Sequence, residues 1–157
     1  MSKADKQNKT QSDLDFLENV QLTQVELVNC HLNQPPGHIT EELNLNYSVA
    51  LEHRFELDKE LVLVAVEVSV SDGTSKDVVF GTVTVGCVFH VNQLQQFYEV
   101  EHSKVLLPES FIIAMNAVSI STSRGVVFMF FKGTYLNGAT LPIINPNAFK
   151  KIEQVKR

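Results

Sequence analysis

The feature that most constrains this chain is a two-residue alternation between Glu60 and Val91. Valine occupies every even position from 62 to 70. The second half of the stretch carries a matching apolar row: Gly81, Val83, Val85, Cys87 and Phe89. Successive side chains of a β-strand point to opposite faces, so the pattern predicts two strands joined by a turn around Asp72-Gly73. An antiparallel sheet normally packs one face on a core, and the valine face therefore needs a covering layer.

Two further strands are predicted before this hairpin. The alternation from Leu43 to Leu57 predicts a half-buried strand. The alternation from Val20 to Leu32 is imperfect, which indicates either a bulge or an interface on both faces of that strand. Four strands in sequence are most simply connected as an antiparallel meander.

Helical signals follow the sheet. Pro108 suits the first turn of a helix, apolar residues then recur at helical spacing, and Arg124-Gly125 is a good stop signal. The prediction is a long helix from Pro108 to Arg124 that covers the valine face. A short C-terminal helix is predicted to open at Asn145-Pro146 and to run through Ile152.

Two segments each keep two interpretations. The crossover 92–104 is either helical or irregular. The segment 126–142 begins with six uninterrupted apolar residues and is then cut by Gly133, Gly138 and Pro142. It is either a buried strand or an apolar loop that serves as a binding surface. Replacing Phe130 and Phe131 with Ser is expected to weaken binding and spare the fold if the segment is a surface, and to unfold the protein if it is core.

Length and composition favour one domain. The chain has 157 residues, of which 44% are hydrophobic, so we expect a single globular domain at 14–157 after a flexible polar tail at 1–13. The tail lacks the apolar core of a signal peptide, and no later segment approaches the length of a membrane span. A cytoplasmic protein without membrane insertion is therefore expected.

The charge of the chain bears on its partners. Residues 14–149 carry six basic and fifteen acidic residues, a net charge of −9. This sign disfavours nucleic acid and favours basic or unfolded polypeptide. The five histidines match no metal-ligand spacing, and Cys30 and Cys87 are expected to pack as small apolar residues. We therefore expect no metal, no catalytic residue and no enzyme activity.

Several short segments are specific in their order and spacing. They are Gln34-Pro35 after the first strand, Gly86-Cys87-Val88-Phe89, Leu107-Pro108, Ser123-Arg124-Gly125, and Leu141-Pro142-Ile143-Ile144-Asn145. Together with four strands, a crossover and a long helix, they resemble the SecB family of protein-export chaperones over residues 20–154. The resemblance implies an α+β fold in which a long helix covers one face of a four-stranded antiparallel sheet, with a short C-terminal helix.

The resemblance also implies a function. Such a protein is a homotetramer, built as a dimer of dimers with long helices between two eight-stranded sheets. It holds non-native or precursor polypeptides in hydrophobic grooves without ATP or any other cofactor. The expected groove residues are Leu94, Phe97, Tyr98, Phe128, Phe130, Phe131, Tyr135 and Leu141. The expected oligomer-interface residues are Gly81, Val83, Val85, Phe111 and Met115.

The resemblance has one departure that concerns partners. Family members that pass clients to the SecA motor present acidic residues on the outer sheet face, and the matching positions here are Asn29, Asn33 and Thr82. This argues against SecA as a partner. Two alternatives to a general chaperone are kept. One is a chaperone or adaptor for one dedicated partner, such as an antitoxin. The other is a small-ligand or enzyme domain in which the apolar segment 126–142 forms a lid.

Overall fold

The computed structural model describes residues 18–34, 37, 43–75, 77–102 and 104–149. The predicted tail at 1–13 and the end of the predicted C-terminal helix lie outside the described residues. The strands are β1 (Val20–Leu32), β2 (Leu45–Glu56), β3 (Leu61–Asp72), β4 (Val79–Val91), β5 (Tyr98–Glu99) and β6 (Lys104–Val105). The long α-helix is α1 (Glu109–Phe131), and 3₁₀ turns occur at Leu57–Lys59, Leu94–Phe97 and Pro146–Phe149.

The main sheet has the strand order β1-β4-β3-β2, with every neighbouring pair antiparallel. The predicted meander is therefore wrong, because β1 lies beside β4 and not beside β2. Strands β2, β3 and β4 are joined as consecutive hairpins, and β1 completes a Greek-key order. Alternation shows which side chains share a face but not which strand lies next to which. In the observed strand order, β1 and β2 are the two edges of the sheet.

The valine hairpin is confirmed. Its even-numbered valines in β3 are fully buried, as are Val83 and Val85 in β4. In the connecting turn, Asp72 Oδ1 accepts hydrogen bonds from the backbone nitrogen and the hydroxyl of Thr74, both at 2.7 Å. A Cβ on Gly73 would lie 2.5 Å from Asn44 Cγ. A larger residue at this position would require the Asn44 side chain to move.

The imperfect alternation of β1 comes from two bulges. Its register against β4 shifts between Leu22 and Gln24 and again between Leu27 and Asn29. As a result Val25 and Leu27, which break the simple alternation, lie opposite Cys87 and Val85. Directly opposite residues share a face, so all the apolar side chains of β1 except Val28 lie on the same side as the valine row. The bulge interpretation is confirmed.

Helix α1 is longer than the sequence predicts. It passes through Gly125 and ends at Phe131, so the stop at Arg124-Gly125 is wrong, and residues 126–131 form neither a strand nor a loop. An exposed helical glycine costs about 1 kcal/mol relative to alanine. Burying Val127 and Phe131, both fully buried, stabilises the helix by about 1.5–3 kcal/mol each. Val127 and Phe131 lie one turn apart on the same helix face, and the free energy gained by burying both side chains outweighs the local stop signal.

This helix also corrects the expectation that no segment approaches the length of a membrane span. Its 23 residues are long and apolar enough for one, by length and composition. However, 44% of the most apolar window is buried inside the protein, where it packs mainly on β3 and β4. The apolar character of α1 is thus accounted for in part by its contact with the sheet.

The remaining elements are the crossover before α1 and the short turn at the C-terminal end of the described chain. The crossover combines the 3₁₀ turn Leu94–Phe97 with the small hairpin of β5 and β6. At the C-terminal end of the described chain, Asn145 Oδ1 accepts a hydrogen bond from the Asn147 backbone nitrogen at 3.0 Å, so the predicted start at Asn145-Pro146 is confirmed. The turn that follows, Pro146–Phe149, is 3₁₀ rather than α-helical and packs on α1.

Candidate functional site

One candidate surface is the inner face of β1, which α1 leaves largely uncovered. Leu22, Val25 and Leu27 are 37%, 43% and 51% exposed although they lie on the side of the valine row. Cys30 shares this side and is also exposed, so the expectation that it is packed is wrong. We refer to Leu22, Val25, Leu27 and Cys30 as the β1 apolar strip. A row of this kind on an edge strand is a site for contact with another polypeptide.

A second candidate surface is the side of α1 that faces away from the sheet. The helix has no charged residue between Glu109 and Arg124. At helical spacing its outer side presents Ala114, Ala117, Val118, Ser121, Gly125 and Phe128, which we call the α1 outer face. Val118 is 38% exposed and Phe128 is 47% exposed. An uncharged helix face of this length is typical of an interface and not of a solvated surface.

The predicted groove residues divide by burial. Leu94, Phe131 and Leu141 are almost fully buried in the protein's own core, so they need no client to cover them. Phe128 is exposed, and the other four are half-buried: Phe97, Tyr98, Phe130 and Tyr135. Only these five present surface to a ligand in this conformation.

The structure also separates the predicted groove residues into two groups. Phe97 packs edge-on against Phe111 near the start of α1, with ring centroids 6.4 Å apart. Phe128, Phe130 and Phe131 lie at the end of the same helix. A helix rises about 1.5 Å per residue, so the groups lie about 26–30 Å apart along α1. Within one chain they line two separate surfaces.

The segment after α1 is tied to the body by specific polar contacts. The Tyr135 hydroxyl donates a hydrogen bond to the Asn33 carbonyl at 2.7 Å and lies 3.1 Å from the Phe80 carbonyl. Arg124 Nε donates to the Leu141 carbonyl at 3.0 Å, and its guanidinium also donates to the Pro142 carbonyl at 3.1 Å. Arg124 thus positions the return segment rather than ending the helix.

The predicted interface residues are accounted for within one chain. Val83, Val85 and Met115 are fully buried, and Phe111 is 7% exposed. Gly81 lies against the end of α1, where a Cβ would stand 2.8 Å from Phe131 Cε1. These residues build the contact between sheet and helix in the protomer. Their role in an oligomer stays a prediction, and their apolar character does not require it.

A buried polar pair joins β2, α1 and the C-terminal turn. His53 Nε2 lies 2.7 Å from Asn116 Oδ1, and Asn116 Nδ2 donates to the Phe149 carbonyl at 3.1 Å. Burial lowers the pKa of His53, and the hydrogen bond with Asn116 partly offsets this. The imidazole is therefore neutral and structural near neutral pH.

The buried thiol of Cys87 is likewise structural. Burial raises the pKa of Cys87, while the hydroxyls of Ser119 and Thr122 act in the opposite direction. The thiol is a weak partner for the Ser119 hydroxyl, which has no other partner among the described residues. A protonated thiol in apolar surroundings is a poor nucleophile.

The side chains of the described residues form no metal site, since no three His, Cys, Asp or Glu come close enough to hold an ion there.

The three positions that would present acidic groups to SecA are Asn29, Asn33 and Thr82, which carry two amides and a hydroxyl. Asn33 is engaged in closing the end of β1, because its Nδ2 donates to the Val79 carbonyl at 2.7 Å.

Sequence reasoning missed a pocket beside the start of α1. It has a volume of about 390 Å³ and is lined by Asn19, Asn92, Gln93, Gln96, Phe97, Pro108, Ser110 and Phe111. Of these, only Phe97 belongs to the predicted groove. The signal that points to it is the amide-rich run at 92–96, which lies directly after a buried strand and before an aromatic pair.

Comparison with known proteins gives a structural likeness. No family model matches the sequence, and no curated protein matches it. The fold is similar to that of the SecB-like chaperone Rv1957 from Mycobacterium tuberculosis, solved in complex with a ChAD peptide from the Rv1956 HigA1 antitoxin. The TM-score is 0.56 at 10% identity, over 83% of this chain and 94% of that chain. This chain has a SecB-like fold.

A second solved structure is similar at a lower level. It is a protein of unknown function from Streptococcus agalactiae, with a TM-score of 0.41 and 11% identity over 79% of this chain and 97% of that one. The SecB-like fold confirms the predicted class, a four-stranded antiparallel sheet with one long helix. At 10% identity the likeness to Rv1957 shows the fold alone.

Proposed function

We propose that this protein is a chaperone that holds non-native polypeptides without ATP, in the cytoplasm. The observation that carries the proposal is the β1 apolar strip, an uncovered row of aliphatic side chains on the edge strand of an otherwise well-packed sheet. A client segment finds apolar side chains there on which its own apolar side chains can pack.

The proposal includes assembly into a dimer of dimers. Two four-stranded sheets that pair along β1 would form one eight-stranded sheet, and β1 offers thirteen residues for that pairing. The α1 outer face supports the second contact, because its small residues let another helix approach closely. The predicted interface residues Phe111 and Met115 lie inside the protomer, and these surfaces are proposed in addition to them. Several linked binding surfaces would then raise the effective concentration of the next site along a client.

A second candidate is a chaperone for one dedicated partner. The observation that favours it is the complex of Rv1957 with a peptide from an antitoxin. The amides at Asn29 and Asn33 agree with this candidate, since SecA docking in the SecB family is expected to need carboxylates at these positions. Under this proposal the exposed apolar surfaces bind one specific segment, and unrelated unfolded chains bind weakly.

Light scattering separates the two candidates. An unrelated protein that aggregates slowly after unfolding is mixed with increasing amounts of this protein, without nucleotide. A general chaperone suppresses aggregation, with saturation near one tetramer per client chain. Absence of suppression by a folded, oligomeric sample overturns the general role and favours a dedicated partner.

Variants of β1 test which face acts. The double variant Val25→Ser/Leu27→Ser removes two exposed side chains from the β1 apolar strip. The control is the variant Val28→Ser. Val28 is 56% exposed and lies near Gly86 on the opposite face of the same strand. We expect the double variant to lose suppression and the control to keep it. Equal suppression by both would remove the strip from the proposed function.

A further inference from the structure

The return segment after α1 carries the one Asn-Gly pair of the chain, Asn137-Gly138. Both residues are exposed, and a Cβ on Gly138 would meet no atom within 4 Å. An asparagine before glycine can react with its own backbone, because the next nitrogen reaches the side-chain amide carbon and no Cβ stands in its way. The exposure of the pair admits the water that completes such a reaction.

The side-chain carbonyl of Asn137 is polarised by a backbone contact. Its Oδ1 accepts a hydrogen bond from the Gly133 nitrogen at 3.1 Å. Gly133 has φ +81°, the left-handed conformation that glycine adopts readily just after a helix. An N–H aimed at a carbonyl oxygen stabilises the negative charge that develops there when a nucleophile attacks the carbon. The contact therefore favours attack on the amide carbon of Asn137.

The nucleophile in this reaction is the backbone nitrogen of Gly138. Among the described residues this nitrogen makes no hydrogen bond, whereas the nitrogens on either side are occupied. Asn137 N donates to the Thr134 carbonyl at 3.1 Å, and Ala139 N donates to the Leu136 carbonyl at 2.8 Å. The two reacting groups of the pair are thus both available.

A related pair in the valine hairpin, Asp72-Gly73, is protected by its contacts. The Gly73 nitrogen donates to the Asn44 carbonyl at 2.7 Å. Hydrogen bonds from Thr74 lower the pKa of the Asp72 carboxyl, so this group stays ionised near neutral pH, and a carboxylate is a poor electrophile. The fold therefore occupies both reacting groups in this turn and leaves them available at Asn137-Gly138.

We propose that Asn137 is a site of spontaneous deamidation in the folded protein. The Gly138 nitrogen loses its proton and forms a bond to Asn137 Cγ. The bond from Cγ to the amide nitrogen breaks, and ammonia leaves with that proton. Water then opens the resulting succinimide ring at either carbonyl and gives aspartate or isoaspartate. The net change is uptake of one water and release of one ammonia, and the inference does not depend on the proposed function.

The products alter the segment that follows α1. Both add a negative charge close to the C-terminal end of the helix, where the helix dipole disfavours it. Isoaspartate also lengthens the backbone by one atom between Leu136 and Ala139, which are each 1% exposed. Close-packed side chains do not absorb such a change without a shift. The reaction therefore loosens the return segment at a rate that the chain itself sets.

Peptide mapping by mass spectrometry tests the inference on the folded protein, incubated near neutral pH and digested in acid. Deamidation adds one dalton to the fragment that contains Asn137. The reference is an end-blocked peptide with the sequence of residues 134–140. We expect Asn137 to react at least as fast in the protein as in the peptide. A reaction more than about tenfold slower, equivalent to about 1.4 kcal/mol of protection, overturns the inference.

An internal control is Asn147, which is also exposed. The nitrogen that follows it belongs to Ala148 and donates to the Asn145 carbonyl at 3.1 Å. We expect no product at Asn147, and no isoaspartate at Asp72, in the time that converts half of Asn137. Equal conversion at Asn137 and Asn147 would overturn the role assigned to the local contacts.

The blocking variant is Gly138→Ala. The added Cβ has space, so the fold is kept, but alanine lacks part of the backbone freedom that ring closure uses. We expect the reaction to slow at least about fivefold. The matched control is Gly125→Ala, which also has space for a Cβ and should react at the rate of the unaltered protein. Equal rates in both variants would overturn the inference, and the peptide comparison decides if Gly138→Ala fails to fold.

The structural consequence has its own measurement. Unaltered protein, aged until most of Asn137 has reacted, is expected to unfold at a lower urea concentration than Gly138→Ala aged for the same time. Fresh samples of both proteins give the reference midpoints. An equal shift on ageing in the two proteins would overturn the proposed loosening of the return segment.

Discussion

Gly81 and Phe131 show how one missing side chain positions the end of a helix. The ring of Phe131 packs where a Cβ on Gly81 would stand, 2.8 Å from Cε1. The sequence marks both residues as apolar or small, and the resemblance assigned one to an oligomer interface and the other to a client groove. The tertiary structure places them in contact in the core, because the helix continues as far as the first residues of β4.

Burial at the end of α1 predicts opposite effects for two phenylalanines. Phe131 is fully buried and Phe128 is 47% exposed. Phe131→Ser is expected to lower the free energy of unfolding by about 3–5 kcal/mol, as for other buried phenylalanine truncations. Phe128→Ser is expected to leave it within about 0.5 kcal/mol and to weaken client binding or assembly. Urea unfolding and light scattering measure the two effects, and equal destabilisation by both variants would contradict the helix assignment.

His53 predicts a pH dependence of stability. Burial lowers its pKa in the folded state below the ordinary value of 6.5. As the pH falls below that value, the unfolded chain takes up a proton that the folded chain refuses, so stability present above it is lost. We expect the free energy of unfolding to fall more steeply below about pH 6.5 in the unaltered protein than in His53→Gln. The free energy of unfolding is measured by urea unfolding at several pH values. If it changes with pH equally in both proteins, His53 does not contribute.

At the scale of elements, β1 and α1 each depart from their local patterns, with different results. Helix α1 continues past Gly125 to bury Val127 and Phe131, and this burial exceeds the cost of one helical glycine. Two bulges turn Val25 and Leu27 of β1 toward the valine side, but both side chains stay about half exposed within one protomer. The cost of the bulges is therefore not offset by burial inside the protomer.

The course of α1 predicts the sign of one substitution. A Cβ on Gly125 would meet no atom within 4 Å, and the residue lies in mid-helix. Gly125→Ala is therefore expected to raise the free energy of unfolding by about 0.5–1 kcal/mol. Had the helix ended there with a left-handed glycine, alanine would destabilise the protein. Denaturant unfolding at protein concentrations too low for assembly measures the sign of this change. The control is Gly133→Ala, which should destabilise the protein because Gly133 has φ +81°.

At the scale of the whole molecule, charge and apolar surface act together. The body is strongly acidic, while the β1 apolar strip and the α1 outer face are almost uncharged. Under the proposed function, the acidic body would attract basic segments at a distance, and the apolar surfaces would hold them after contact. Charge would then affect the rate of capture more than the final affinity.

This division predicts a specific salt effect. Capture of a basic unfolded client is expected to slow as ionic strength rises, while capture of a neutral client stays constant. Stopped-flow association at several salt concentrations measures both rates. If salt leaves the rate for the basic client unchanged, charge has no part in client selection.

The sequence alone determined the four long strands, the buried faces of β2, β3 and β4, the class of the fold and the presence of a long covering helix. These follow from short-range periodicity, which the chain carries whatever its final arrangement. Only the tertiary structure decided that β1 lies beside β4, that α1 runs to Phe131, and that Leu94 and Leu141 are core while Leu27 is exposed. The pocket at Gln93 and Gln96 also belongs to this second group. An apolar pattern specifies that a face needs cover, but which element covers it depends on contacts between residues far apart in the chain.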